Sequence, residues 1–140
     1  MASVDKAAME KAYLEVRDDK VDTNWAVFKY SENTIVFIAS GTDYEEFLKQ
    51  FEAGERAYGY VRIETGDELS KRAKFALITW VSETVPPLKK AKVSTDKASV
   101  KQTIQNFAVE IFTSHMEDLQ FDNVKQTLVK AGGANYGTGK

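Results

Sequence analysis

The sequence contains no cysteine, only two prolines and a single histidine. The absence of cysteine excludes disulfides, thiolate catalysis and zinc sites with sulfur ligands. The longest apolar stretches, at residues 34–40 and 75–81, are far shorter than the roughly 20 residues that span a bilayer. The first five residues lack the charged and apolar regions of a signal peptide. We therefore expect a soluble cytoplasmic protein that is not inserted in a membrane.

The length and composition are those of one globular domain. The chain has 140 residues, of which 43% are hydrophobic and 29% charged. Such a chain can bury most of its apolar surface without disulfides or metals. We expect residues 1–131 to form a single domain, residues 132–140 to be a flexible C-terminal tail, and the protein to be a monomer.

The charge is distributed unevenly along the chain. The net charge is −2, yet residues 71–101 contain eight basic and two acidic residues, so this segment carries +6 and the remainder −8. A basic face on an acidic protein indicates an anionic partner, such as an acidic protein surface, a phosphoinositide or a nucleic acid. The alternative is a set of well-separated surface lysines that bind nothing.

Hydrophobic spacing predicts four helices. Ser3 is the expected N-cap of the first, Thr42 and Glu45 have the spacing of a capping box for the second, and Gly132 is the expected C-cap of the last. The long third helix is predicted to bury Val100 and Ile104. The predicted ranges are Val4–Asp18, a helix after Thr42, Asp96–Phe112 and Asp122–Lys130.

Four strands are predicted at Trp25–Tyr30, Thr34–Ser40, Ala57–Glu64 and Ala73–Val81, with room for a short strand before the last helix. The second and fourth of these are apolar on both faces, which predicts a central position in the sheet. The order of elements predicts an α/β fold in which helices cover both faces of one mixed sheet.

No catalytic or cofactor-binding constellation is present. His115 has no serine or cysteine near it in sequence, and no metal-ligand spacing occurs. The glycine-rich ending lacks the first glycine of a phosphate-binding loop and has no helix after its lysine. Tyr58, Tyr60 and Arg62 alternate as in some nucleic-acid-binding sheets, but helices on both faces would hide them. We expect no enzyme activity, no cofactor, no metal and no nucleic acid.

Three groups of basic residues are therefore the candidates for binding. Lys97 and Lys101 are four residues apart and share one face of the long helix. Lys89, Lys90 and Lys92 are expected just before that helix begins. A third group, Lys71, Arg72 and Lys74, precedes or begins a predicted central strand, where the end of the sheet presents it to a partner.

Several blocks of the sequence resemble the coactosins, which are small proteins of the ADF/cofilin-homology type. The clearest block runs from Ser70 to Trp80, as SKRAKFALITW, and is preceded by TGD at residues 65–67. Further blocks are VRDD at 16–19, FKY at 28–30, DK at 96–97, NFA at 106–108 and AGGANY at 131–136. The resemblance extends from about residue 4 to 136.

The resemblance implies a central five- to six-stranded mixed β-sheet between helices, and binding along the side of filamentous actin with little severing or monomer binding. Lys74 matches the lysine associated with filament binding in coactosins, and Lys89 resembles the cofilin lysine ahead of the actin-binding helix. Ser3 resembles a cofilin serine that is phosphorylated, although coactosins are not generally regulated in this way. The expected actin-binding residues are Lys71, Arg72, Lys74, Lys89, Lys90, Lys97 and Lys101. Cofilin-like severing and phosphoinositide binding are the alternatives.

Overall fold

A computed structural model of the chain describes residues 2–66, Leu69 and 71–137, without the side chains of 132–137. Its strands are β1 (Ser3–Val4), β2 (Trp25–Ser31), β3 (Thr34–Gly41), β4 (Arg56–Thr65), β5 (Arg72–Val81) and β6 (Val109–Thr113). Its helices are α1 (Lys6–Arg17), α2 (Tyr44–Lys49), α3 (Pro87–Thr103) and α4 (Phe121–Gly137), with a 3-10 turn at Met116–Leu119.

The described strands form one six-stranded mixed sheet in the order β1-β3-β2-β4-β5-β6. The pairs β1–β3 and β5–β6 are parallel, and the other neighbours are antiparallel. Helices α1 and α3 pack on one face, and α2 and α4 pack on the other, each pair over its own hydrophobic cluster. This architecture confirms the predicted mixed sheet with helices on both faces.

Strand β5 lies inside the sheet, as its sequence predicts. Residues 76–81 are all buried, because β4 and β6 flank the strand and helices cover both of its faces. Alternation divides its side chains between the two clusters. Leu77 packs with α1 and α3, whereas Ala76 and Ile78 pack with α2 and α4.

The prediction that Thr34–Ser40 is a central strand is wrong. Strand β3 is bordered on its outer side only by the two residues of β1, so most of it lies at the sheet edge. Phe37 and Ile38 are consequently 39% and 44% exposed. A run that is apolar on both faces predicts burial. Because β1 is too short to cover the outer side of β3, however, Phe37 and Ile38 remain exposed to solvent.

Two predicted N-caps are displaced by one or two residues. Ser3 belongs to β1, and Asp5 instead caps α1 by accepting a hydrogen bond from the Ala8 backbone N–H. Asp43, not Thr42, caps α2 through the Glu45 backbone N–H. An aspartate is at least as good an N-cap as serine or threonine, which accounts for both corrections.

The predicted long helix at Asp96–Phe112 is wrong at both ends. Helix α3 begins at Pro87, since proline is favoured at the first helical position, so Lys89, Lys90 and Lys92 lie within it rather than before it. It ends at Thr103, after which Ile104 is extended. The residues expected to finish the helix instead form β6, which confirms the short strand before the last helix.

Helix α4 continues past Gly132, where the sequence predicted its C-cap, and reaches Gly137. Of the tail expected at residues 132–140, residues 138–140 lie outside the described residues. The single-domain boundary at residue 131 stays a prediction. None of the described helices has the length and hydrophobicity needed to cross a bilayer.

Candidate functional site

The first basic group lies where β5 begins. Arg72 pairs in register with Thr65 of β4, and Lys74 pairs with Ile63. Lys71 and Arg72 are exposed and Lys74 is partly buried. Among residues 2–66, Leu69 and 71–137, none forms an ion pair with these three side chains. Their positive charges are therefore not neutralised by the described part of the protein.

Strand alternation determines which face of the sheet Lys74 occupies. Phe75 points toward the α1 and α3 face, where its ring stacks on Tyr60 with 5.4 Å between centroids. Lys74 therefore lies on the same face as Ala76, which packs in the cluster beneath α2 and α4. Lys74 pairs in register with Ile63, which belongs to the same cluster, so its side chain starts beside buried apolar residues.

The second basic group, Lys97 and Lys101 on α3, is partly compensated within the protein by one carboxylate. Lys97 Nζ lies 3.3 Å from Glu110 Oε1, and Lys101 Nζ lies 2.7 Å from Glu110 Oε2. Each ammonium also lies 5.6 Å from an aromatic centroid, Lys97 over Phe112 and Lys101 over Phe107. The hydrogen bond from Lys101 is the main cause of the lowered pKa of Glu110. One carboxylate thus bridges two lysines that the sequence predicted to be available to a partner.

Lys89 and Lys90 occupy the first turn of α3 and are exposed. The first turn of this helix has no acidic residue. Positive charge at a helix N-terminus is unfavourable, because it opposes the helix dipole. Lys89 lies about 18 Å from Lys101 along the axis, since a helix rises about 1.5 Å per residue. Lys89 and Lys101 therefore lie near opposite ends of α3.

A buried carboxylate fixes α3 to the rest of the fold. Asp96 is 1% exposed and accepts hydrogen bonds from the Ala2 backbone N–H at 2.9 Å and the Tyr30 hydroxyl at 2.7 Å. The Tyr30 and Tyr58 hydroxyls are 3.0 Å apart, and Tyr58 also donates to the Val93 carbonyl. Burial raises the pKa of Tyr58 to about 12. This network joins the N-terminal segment and β2 to the helix that carries Lys97.

Sequence reasoning missed the roles of Glu110 and Asp96. Glu110 was assigned to the helix, although the alternating apolar residues Val109 and Ile111 are a period-two signal for a strand. Recognising that strand would place Glu110 on the face next to α3. Asp96 gives no local signal, because its partners lie far away in sequence. Lys125 and Lys130 of α4 were also left out of the candidate residues.

His115 and the alternating residues Tyr58, Tyr60 and Arg62 lie in different surroundings. His115 lies 3.4 Å from Glu83, but both side chains are more than half exposed, at 60% and 67%. No group of three or more histidine or acidic side chains within the described ranges is arranged to hold a metal. Tyr58 and Tyr60 are fully buried. Arg62 donates to backbone carbonyls at the end of α1, so the alternating aromatic and basic residues are structural.

Comparison with protein families gives one match that covers nearly the whole chain. Residues 1–129 match the family described as cofilin/tropomyosin-type actin-binding proteins. Human coactosin-like protein is 47% identical over 133 residues, which cover 95% of this chain and 94% of the human protein.

Solved structures agree with this match. The crystal structure of human coactosin-like protein superposes with a TM-score of 0.90 at 44% identity, covering 93% of this chain and 99% of that one. The solution structure of mouse coactosin, described as an actin filament binding protein, gives a TM-score of 0.80 at 45% identity and covers 99% of this chain and 98% of that one.

Proposed function

The chain belongs to the coactosins, within the family of cofilin/tropomyosin-type actin-binding proteins, and from this membership we propose that it binds the sides of actin filaments. Actin binding in general follows from the family. The preference for filaments is supported by mouse coactosin, which is 45% identical and is described as an actin filament binding protein. The proposal includes little or no severing or monomer binding.

The observation that carries the proposal is the group of basic side chains at the start of β5. Lys71, Arg72 and Lys74 follow one another at the end of the sheet and have no ion-pair partner among the described residues. Positive charges that the described residues leave unpaired can attract an acidic surface and orient its approach. We propose that these three residues pair with acidic residues of the filament, with Lys74 as the principal contact.

The exposed lysines in the first turn of α3 provide a second contact in this proposal. Lys89 and Lys90 lie where the helix dipole disfavours a cation, typically by about 0.3–1 kcal/mol. A partner carboxylate that bound there would relieve this local repulsion.

Weak monomer binding is supported by the state of the α3 surface. Lys97 and Lys101 are paired with Glu110, and the neighbouring Gln102 and Gln105 carry no charge. The Gln105 side chain also donates a hydrogen bond to the Gln102 backbone carbonyl. The part of α3 that carries Lys97 and Lys101 therefore offers less positive charge to an acidic partner than its sequence suggests.

Co-sedimentation with polymerised actin tests the proposal. The wild-type protein should pellet with filaments, and Lys74→Ala should bind at least about tenfold more weakly, as expected for the loss of one well-placed charge contact. Lys11→Ala on α1 is the matched control, because Lys11 is exposed and has no ion-pair partner in the described ranges. Equal binding by both variants would contradict the role of Lys74.

Microscopy of labelled filaments separates the proposal from its alternatives. Filament lengths should not change when the protein is added, whereas shortening would favour a cofilin-like severing factor. Binding to phosphoinositide vesicles without pelleting on actin would favour a lipid-binding module. We also propose that the protein is a cytoplasmic monomer associated with the actin cytoskeleton and has no enzymatic activity.

A further inference from the structure

Glu110 holds both lysines of the α3 group at once. Each of its carboxylate oxygens faces a different ammonium, Oε1 at 3.3 Å from Lys97 and Oε2 at 2.7 Å from Lys101. The side chains of Lys97, Lys101 and Glu110 are 26%, 38% and 31% exposed. The three groups are therefore accessible at the surface but are already paired with one another.

The pairing of β6 with β5 and the position of α3 bring these three side chains together. In the parallel pairing of β5 and β6, Glu110 lies opposite Leu77, which packs on the α1 and α3 face. The side chain of Glu110 therefore points toward α3. Lys97 and Lys101 are one helical turn apart, so their ammoniums converge on the same carboxylate.

The pairing is weak enough to be exchanged. Ion pairs between partly exposed side chains add little to stability, because water already solvates both charges well. A carboxylate on an approaching surface can therefore replace Glu110, but it must compete with it. Desolvation of Glu110 without its lysines would add to the cost of that exchange.

We propose that Glu110 is an internal competitor that holds Lys97 and Lys101 away from acidic residues of actin and so limits binding through the α3 face. This inference rests on the proposed function and extends it, since it identifies Glu110 as the residue that weakens actin binding through Lys97 and Lys101. It predicts that removing the negative charge of Glu110 strengthens actin binding.

The test is Glu110→Gln in the filament co-sedimentation assay. The variant should bind roughly threefold to tenfold more tightly than the wild-type protein, since two lysines become available. Glu10→Gln is the control, because it removes one negative charge from an exposed position on α1 that has no ion-pair partner in the described part of the chain. An equal gain in both variants would overturn the inference, since net charge alone would then explain it.

A second background isolates the two lysines. When Lys97→Ala and Lys101→Ala are present together, adding Glu110→Gln should give no gain in binding. A gain that persists without these lysines would overturn the inference. Thermal melting of each variant verifies that the fold is retained before binding is compared.

Chemical labelling provides a readout that does not involve actin. In the absence of a partner, Lys97 and Lys101 should react faster with an acylating reagent in Glu110→Gln than in the wild-type protein, as followed by mass spectrometry. Faster labelling without tighter actin binding would overturn the inference and leave the proposed function intact, provided that wild type pellets and Lys74→Ala does not. Failure of both wild type and Glu110→Gln to bind filaments would overturn both.

Discussion

Two of the three basic groups, one at the start of β5 and one on α3, carry charge of the same sign but have different surroundings. Lys71 just before β5 and Arg72 and Lys74 within it have no ion-pair partner in the described ranges, whereas Lys97 and Lys101 on α3 share Glu110. In the sequence they are equivalent candidates, because both are clusters of cations next to apolar residues. The difference teaches that the availability of a charge depends on what the fold places opposite it.

The largest expected effect is the loss of stability on replacing Asp96, which fixes α3 to the rest of the fold. Asp96→Ala leaves the Ala2 N–H and the Tyr30 hydroxyl without their acceptor in a buried site. We expect the free energy of unfolding to fall by about 2–4 kcal/mol, measured by chemical denaturation. Asp22→Ala, at an exposed position, should change it by less than about 0.5 kcal/mol. A similar small change for Asp96→Ala would mean that the network does not fix α3.

The next effect is on binding by the β5 group. Replacing Lys71, Arg72 and Lys74 together with alanine should weaken filament binding by about a hundredfold or more without changing the melting temperature, because the three side chains are at the surface. The control removes the same number of positive charges from Lys6, Lys11 and Lys20, which are exposed elsewhere. Co-sedimentation of the two triple variants distinguishes a local site from net charge, and equal losses would contradict a local site.

The α3 group should behave differently in the same assay. Lys97→Ala combined with Lys101→Ala should weaken filament binding by less than about threefold, because both ammoniums are already paired with Glu110. A loss as large as that of the β5 triple variant would remove the distinction between the two groups.

The smallest effect is the pH dependence of the Glu110 ion pairs. Their lysines lower the pKa of Glu110 from its ordinary value of 4.5. The stabilisation is therefore present above that value and is lost as the pH falls through the lowered pKa. Wild type should be more stable than Glu110→Gln by less than about 1 kcal/mol near neutral pH, and the difference should vanish in strong acid. Denaturation at several pH values measures this, and a difference that grows on acidification would contradict the assignment.

Local patterns in the sequence predict most of the fold. The run Phe75–Val81 identifies the central strand because its length and apolar character are sufficient evidence. The residues of β6 were predicted to be helical, because Phe107, Ala108 and Ile111 have helical spacing. They form a strand because they pair with β5. Strand β1 has two residues and depends on Thr34 and Ile35 for its existence.

The sequence predicted which residues make up the candidate site, but not which of them form ion pairs within the protein. The resemblance to coactosins identifies Lys74 as a candidate and helical spacing adds Lys97, yet nothing near Lys97 in sequence indicates that a carboxylate thirteen residues later will pair with it. That contact requires the chain to leave α3 and return as β6. Pairing between charges on different elements depends on the tertiary structure. It distinguishes Lys97 and Lys101, which are paired, from the basic residues at the start of β5.

The most direct test of the central claim is the salt dependence of filament binding by the wild-type protein and by the triple alanine variant at Lys71, Arg72 and Lys74. If these side chains carry the binding, wild-type affinity should fall steeply as salt increases, because exposed charges are screened within about 10 Å at 0.1 M ionic strength. The residual binding of the variant should then depend much less on salt. Equal salt dependence for the two proteins would mean that the electrostatic contacts lie elsewhere, and the assignment of filament binding to the start of β5 would be wrong.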